Sequence, residues 1–493
     1  MYKNIALTGA TGTMGGETMR AFLKEPGFNL KVLARRSEKN VKALSPLEAE
    51  GKITVVWGDL ADPASLAELV RGCDILLHVG GMVSPKADWY PQETMRVNTS
   101  AMRNIIDVLV SMSRTDMPVI SIGSVSQTGN RDISNRFGRT GDPVAPARFD
   151  SYALSKCIAE RMLSESPLKK WASLRQSGIL YSKLLGKAND PITFHVPLNG
   201  MLEWATVEDS ARLMVNICKK DVIPDDFWRG FYNISSGKGY RLTNYRFEKL
   251  ILNAIGAPSP EKIFDTKWFA LKNFHGHWYS DADRLEELFA FRENMPVEDY
   301  FKRLASKAPS YLKLACLCPA FIMKLFMGRV AMNKTLGTRY WIKSGNAERI
   351  DAFFGGMDAY DAIEPWGRFR LHSPDTDPGA EELASLRLDH GYDETIPSGQ
   401  LDASVLQEAA AFRGGKLIST PDVKGEELLD SHEVEWECHD GHRFRLTPRT
   451  VLLGGYWCPQ CMEVPDDYPR QALYNKFLAQ VVAPLHGSNG KSM

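Results

Sequence analysis

An α/β fold with a doubly wound, Rossmann-type parallel sheet is the fold class predicted for the first half of the chain. Three observations carry it. Short apolar runs alternate with helical periods, glycines stand at Gly9, Gly12 and Gly15 straight after the first run, and later runs end in small residues. A mostly helical covering region and a small cysteine-rich module are expected to follow. The boundaries read as 1–290 for the dinucleotide-type domain, with substrate-side segments from about 182. A helical, aromatic cover follows at 291–372, a linker and helix at 373–403, the module at 404–486 and a disordered tail at 487–493.

Lys plus Arg and Asp plus Glu both number 60, so the formal charge is zero and a dominant polyanion-binding surface is not expected. No apolar run reaches the roughly 18–20 residues of a membrane span. The first strand is broken by Thr8-Gly9, unlike a secretory leader, and a cytoplasmic protein is expected. Of the eight cysteines, Cys73, Cys157, Cys218, Cys316 and Cys318 sit in apolar or helical contexts and read as small core residues.

The first strand ends at Thr8 and a helical run occupies Glu17–Lys24. Glycines between them allow a sharp turn, close approach to a pyrophosphate, and tight packing of helix on strand. The helix N-terminus then offers N–H groups to phosphate. Strand two, Leu30–Ala34, runs into Arg35-Arg36. An acidic residue there would suit a ribose 2′-hydroxyl, whereas arginine suits a 2′-phosphate, so NADP(H) is favoured over NAD(H). The other reading is a solvated basic turn.

Ile53–Val56 is strand three and leads to Gly58-Asp59-Leu60, where Asp59 could accept from an adenine amino group or cap the next helix. Strand four ends in His78-Val79-Gly80-Gly81, with His78 read as a satisfied core histidine. A helix is expected from Val97-Asn98 to about Ser111, and strand five, Val119–Ile122, enters Gly123-Ser124. Tyr152 and Lys156 then stand four apart, on one helical face. A phenol titrates near pH 10, and an adjacent ammonium favours its phenolate. Ser124 could hold a substrate oxygen beside it.

Together these stretches resemble the extended short-chain dehydrogenase/reductases, the superfamily of sugar-nucleotide epimerases, dehydratases and hydroxysteroid dehydrogenases. The likeness rests on Thr8–Gly15, Gly58-Asp59-Leu60, His78–Gly81, Asn98, Ser124 with Gly129, Tyr152 with Lys156, and Leu174–Tyr181. It implies Tyr152 as proton donor or acceptor, Lys156 on the nicotinamide ribose, and Ser124 on the reacting oxygen. The implied cofactor-binding set is Gly9, Thr11, Gly12, Thr13, Met14, Gly15, Arg35, Arg36, Asp59, Leu60, Val79, Gly80, Gly81, Asn98, Tyr152, Lys156, Gly178 and Ile179. Departures from the pattern are Gly80-Gly81 for Ala-Ala, Gln176 for a proline, and Gly123 for a second serine.

Past Tyr181 the chain builds a substrate side. Thr206 or Asp209 would cap a helix there. The aromatic run Trp268–Tyr279 reads as core, with an apolar or ring-shaped substrate pocket as its other reading. Ala315–Val330 is apolar but short and carries Lys324 and Arg329. It reads first as a core helix, and otherwise as a substrate cover, a homodimer contact or a membrane-surface seat.

In the tail, Cys438-x3-His442, a 15-residue loop and Cys458-x2-Cys461 match a closed, structural Zn²⁺ site of four N and S ligands. His439 competes with His442 but adjoins Cys438. The stretch resembles zinc-ribbon or treble-clef modules, which bind nucleic acid or protein. Arg443, Arg445, Arg449 and Arg470 could meet phosphates, although Glu435, Glu437, Asp466 and Asp467 nearby equally suit docking within the chain.

The reading that follows is an NAD(P)-dependent oxidoreductase. It moves hydride at a carbinol or ketone carbon of a small, apolar, ring-containing substrate. The alternatives are a nucleotide-sugar epimerase/dehydratase and a dinucleotide-sensing protein acting through the zinc module.

Overall fold

A computed structural model describes residues 1–186, 190–309 and 317–486. The expected disordered tail, Cys316 and the start of the Ala315–Val330 run lie outside the described residues.

Seven strands form one sheet: β1 (Asn4–Thr8), β2 (Asn29–Ala34), β3 (Thr54–Trp57), β4 (Ile75–His78), β5 (Val119–Ser124), β6 (Trp171–Gln176) and β7 (Gly230–Ile234). Their order is β3-β2-β1-β4-β5-β6-β7, and every pairing is parallel. The order reverses beside β1, and in open sheets of this kind a crevice forms there, beyond the strand ends.

Both faces of the sheet are covered, so the strands read as continuous apolar runs. Ile5, Leu7, Val32, Ile75 and Leu77 face α1 (Thr13–Phe22) and α6 (Val207–Lys219), through Met19, Phe22, Leu213 and Met214. Ala6, Leu33, Leu76 and Val119 face α3 (Pro63–Val70), α4 (Pro91–Ser111) and α5 (Ser151–Ser164), through Leu66, Ile105, Leu109 and Leu163. Side chains at Ser37, Asp62, Asp150 and Thr206 accept from the first-turn N–H groups of α2 (Glu38–Ala49), α3, α5 and α6. Helix α1, preceded by Gly12, has no such side chain.

Two local expectations change. Helix α4 starts at Pro91, where proline's fixed φ suits a first helical turn, so Asn98 lies inside it. Asp62, rather than Asp59, caps α3.

The covering region contributes α7 (Asn244–Ala254), α8 (Val297–Ser306) and α9 (Ala320–Val330). Trp268, Phe269, Trp278 and Tyr279 are buried core residues. Helix α9 is not a core helix: Met327 and Gly328 are buried, but Phe321, Ile322, Leu325 and Phe326 are exposed.

The C-terminal region holds α10 (Ala403–Phe412) and an antiparallel sheet of β8 (Lys416–Ser419), β9 (Glu435–Glu437) and β10 (Arg443–Arg445). Its core of Leu406, Ala409, Trp436, Val451 and Tyr456 also includes Val144 and Cys157, from the first half of the chain. Polar contacts follow the same path. Buried Glu160 of α5 receives Arg175 Nη2 at 2.6 Å and the Tyr456 hydroxyl at 2.8 Å, and Arg175 Nη2 also reaches the Gly454 carbonyl at 2.7 Å.

These contacts settle most of the arginines considered for phosphate. Arg449 pairs with Asp430 and Glu426, Arg470 with Asp440 and Asp467, and Arg443 with Glu437. The acidic residues around the module are used inside the chain.

Glu160→Leu would leave the Arg175 guanidinium buried without its carboxylate, at an expected cost of about 3–5 kcal/mol. Tyr456→Phe removes the hydrogen bond to this carboxylate, about 1.5–3 kcal/mol, together with the weaker 3.3 Å contact that the hydroxyl accepts from the Gln127 amide. Urea unfolding of the two variants checks this order, and a smaller loss for Glu160→Leu would show that the pair does not hold the two regions together.

Candidate active site

A cleft of about 1110 Å³ opens at the C-terminal ends of the sheet strands. Its floor is the turn after β1. Gly9 has φ +76°, and a Cβ on it would lie 2.8 Å from the Gly80 backbone, while a Cβ on Gly15 would lie 2.2 Å from the Gly9 carbonyl oxygen. Side chains at these two positions would push β4 or α1 away. The uncapped first turn of α1 faces the same cleft through Thr13, Met14 and Gly15. Such a cradle, with free N–H groups and no side chain in the way, fits a pyrophosphate.

Thr8 ties β1 to β4: its hydroxyl accepts from Gly80 N at 2.9 Å and lies 3.0 Å from His78 Nδ1. Burial, with Lys156 nearby, pushes His78 down to about 3, so this ring stays neutral.

Gly9, Thr11, Gly12, Thr13, Met14, Gly15, Arg35, Asp59, Leu60, Val79, Gly80, Gly81, Ser124, Tyr152, Lys156, Gly178 and Ile179 all line the cleft. Two expected residues do not. Arg36 turns onto Trp57, with its guanidinium carbon 5.1 Å from the ring centroid. Asn98 lies beneath the wall, where its amide exchanges hydrogen bonds with the Met82 backbone (2.8 and 3.0 Å) and donates to Ser155 at 2.9 Å. It braces the Gly81–Met82 turn against α5.

Helix α5 presents Tyr152 to the cleft, hydrogen-bonded to Ser124. Ser124 in turn accepts from the Ser126 hydroxyl at 2.9 Å. Lys156, one turn on, donates to the Ile122 carbonyl at 2.7 Å and lies 6.0 Å from the Tyr152 ring centroid. Burial pushes the Tyr152 phenol up to about 12 and the Lys156 ammonium down to about 8. Burial sets the position of this phenol, with the Ser124 hydroxyl opposing it and Asp150 adding to it.

Ser37, Lys39 and Asn40 join Arg35 at the end near β2. The Arg35 guanidinium is exposed and 4.0 Å from Asp59. At the opposite end the wall is apolar: Phe247, Ile251, Leu252, Ile255, Phe264, Met323 and Met327. Two titratable groups interrupt it. His275 stands 3.5 Å from Asp150. Glu248 of α7 is buried, with desolvation raising its carboxyl to about 7. His275 of the aromatic run and Met323 and Met327 of α9 match the substrate-side readings of those two stretches, whereas the part taken by α7 arises only through tertiary packing. Gln176, noted as a departure, also lines the cleft, and its amide oxygen is buried without a partner among the described residues.

In the C-terminal module, Cys438, His442, Cys458 and Cys461 bring their ligand atoms within 4.8 Å of one another. His442 Nδ1 lies 3.4 Å from Cys438 Sγ, 3.6 Å from Cys458 Sγ and 3.4 Å from Cys461 Sγ, and the Cys438–Cys461 sulfurs are 3.7 Å apart. A zinc tetrahedron with Zn–S about 2.3 Å and Zn–N about 2.0 Å requires spacings of about 3.5–3.8 Å. The donor set fits. His439 instead stacks on Tyr474, with centroids 3.6 Å apart.

Residues 5–175 match the model of the NAD dependent epimerase/dehydratase family. Among similar proteins, a ceramide reductase of Caulobacter vibrioides is 34% identical over 150 residues, 29% of this chain and 43% of that protein. A decarboxylating sterol-4-alpha-carboxylate 3-dehydrogenase of Dictyostelium discoideum is 29% identical over 205 residues, 41% of this chain and 60% of that protein. The chain thus spans about half the length of the curated relatives it matches. The NAD complex of dTDP-glucose 4,6-dehydratase from Bacillus anthracis superposes with TM-score 0.50 at 13% identity, over 62% of this chain and 96% of that one, which shows a shared fold.

Glu248 supplies a test of the apolar wall. Its folded pKa lies above the unfolded value of about 4.3, so the folded chain binds the extra proton and stability falls as pH rises from there through about 7. Glu248→Gln is expected to gain roughly 2–3 kcal/mol at pH 8 relative to pH 5, by urea unfolding of both proteins at both pH values. Equal differences at the two pH values would mean that the carboxyl is solvated.

Proposed function

We propose that this chain is an NAD(P)-dependent oxidoreductase that reduces a carbonyl, or oxidises the matching carbinol, on an apolar substrate. The observation that carries this reading is Tyr152, hydrogen-bonded to Ser124 and backed by Lys156, at the junction of a pyrophosphate cradle and an apolar chamber. When bound, a nicotinamide gives or takes the hydride.

The Gly9–Gly15 turn and the first turn of α1 hold the pyrophosphate. Arg35, with Ser37, Lys39 and Asn40 beside it, receives a 2′-phosphate, which favours NADP(H). Ser124 holds the substrate oxygen. Tyr152, kept protonated by burial, donates its proton to that oxygen as a carbonyl is reduced.

The far wall supports an apolar substrate. The names of relatives point both ways: some specify a ceramide, a sterol carboxylate or a 2-alkyl-3-oxoalkanoate, and others UDP-glucose or UDP-N-acetylglucosamine. A nucleotide-sugar substrate would need polar partners where Ile251, Leu252, Ile255 and Phe264 stand. The pairing of Arg443, Arg449 and Arg470 within the chain speaks against a nucleic-acid sensor.

Zn²⁺ is the proposed structural ion of the C-terminal module, held by Cys438, His442, Cys458 and Cys461. Its part is to fix a core that continues into α5.

Fluorescence titration is expected to give tighter binding of NADPH than NADH, with Arg35→Asp removing that preference. Tyr152→Phe should leave dinucleotide binding intact while lowering carbonyl reduction about 10²–10⁴-fold. Tighter NADH binding would overturn the reading of Arg35, and full activity of Tyr152→Phe would overturn that of Tyr152.

Metal analysis of the purified protein is expected to find one zinc per chain. Chelation should lower Tm and, through α5, weaken NADPH binding. Metal-free protein of unchanged stability would exclude the ion.

A further inference from the structure

Helix α9 has two apolar faces. Met323 and Met327 point inward and line the apolar end of the cleft. Phe321, Ile322, Leu325 and Phe326, at i, i+1, i+4 and i+5, point outward. Phe321 is 65% exposed and Leu325 64%, and Leu317, just before the helix, is 76% exposed. Large apolar side chains clustered in this way mark an interaction surface rather than scattered surface residues.

The sequence that carries this face is one-sided in charge, with Glu261 on the short Pro260–Ile263 helix packed beside it as an acidic neighbour. From Leu317 to Ala347 the sequence holds Lys324, Arg329, Lys334, Arg339 and Lys343 and no Asp or Glu, in a chain whose formal net charge is zero. Lys324, Arg329 and Lys334 form no ion pair among the described residues, whereas Arg339 is turned inward over Trp268. A short helix with exposed aromatic and branched side chains and basic neighbours has the makeup of one that lies in an anionic lipid interface. No helix among the described residues is long and apolar enough to cross a membrane, so contact would be with the surface only.

We propose that the outer face of α9 seats this protein on an anionic lipid bilayer. The helix that touches lipid also roofs the apolar end of the cleft. Resting on the oxidoreductase reading, the substrate class is then an amphiphile resident in the bilayer, whose chain packs against Met323 and Met327. A second copy of the chain is the competing occupant. It is less suited, because two such faces would bring Lys324 and Arg329 against their own kind.

Co-sedimentation with vesicles of phosphatidylcholine alone, or mixed with phosphatidylglycerol, tests the proposal. The full chain should bind the mixed vesicles, bind phosphatidylcholine weakly, and lose affinity as salt rises. Phe321→Asp with Leu325→Asp should lower partitioning roughly tenfold or more while leaving sedimentation as a free protein unchanged. NADPH titration of the double variant, expected to match the parent, separates loss of the seat from loss of fold or of the dinucleotide site. Failure of the parent to bind either vesicle, or equal binding by the variant, would overturn the proposal. So would a dimer that the two substitutions convert to monomer.

Discussion

The Glu160 carboxylate is the contact on which the arrangement of this molecule depends. It lies on α5 with Tyr152 and Lys156 at successive four-residue steps, so the three share one helical face. Tyr152 meets the cleft, Lys156 is anchored to β5 through the Ile122 carbonyl, and Glu160 is clamped by Arg175 of β6 and Tyr456 of the C-terminal module. A buried ion pair is a poor source of net stability, because desolvation offsets most of its attraction. Its value lies in geometry, since a guanidinium held by both a carboxylate and the Gly454 carbonyl permits one register of helix, strand and module. The C-terminal region is thereby a structural part of the dinucleotide-type domain, sharing a core with Val144 and Cys157.

How much of this is legible in the sequence depends on the range of the contact. The turn after β1 and the Tyr152–Lys156 pair are set by spacings of a few residues, and the Cys438–Cys461 cluster by two such pairs across a 15-residue loop; the structure brings each set together. Arg36 is instructive because it adjoins Arg35: both lie just past the end of β2, and Trp57 on the next strand offers a ring for the second arginine. Asn98 carries a recognisable motif but sits inside a helix whose true start, Pro91, makes it a brace. The far wall was legible in part: the segments of His275 and Met327 were readable as a substrate pocket and cover, but their meeting with Glu248 and Phe264 exists only in three dimensions. The module's arginines divide the same way: the pairs of Arg443 with Glu437 and Arg470 with Asp467 join residues near in sequence, whereas Glu426 and Asp430 become partners of Arg449 through the fold.

The electrostatics of the cleft follow from burial more than from pairing. Tyr152 and Lys156 are each displaced toward their neutral forms, the phenol upward and the ammonium downward. Glu248 moves the same way, toward the protonated carboxyl. Three cleft groups of different chemistry sharing a shift toward the neutral form reflect their burial. A carbonyl is neutral before it reacts, and its oxygen gains negative character only as hydride arrives. A protonated phenol and a serine hydroxyl stabilise that developing charge most where water and counter-charges are scarce. Lys86 and Arg96 also line the cleft, so a diphosphate would meet cations there. On the proposed reading it is the contact with the apolar wall, rather than an absence of charge, that favours an apolar molecule beside Tyr152.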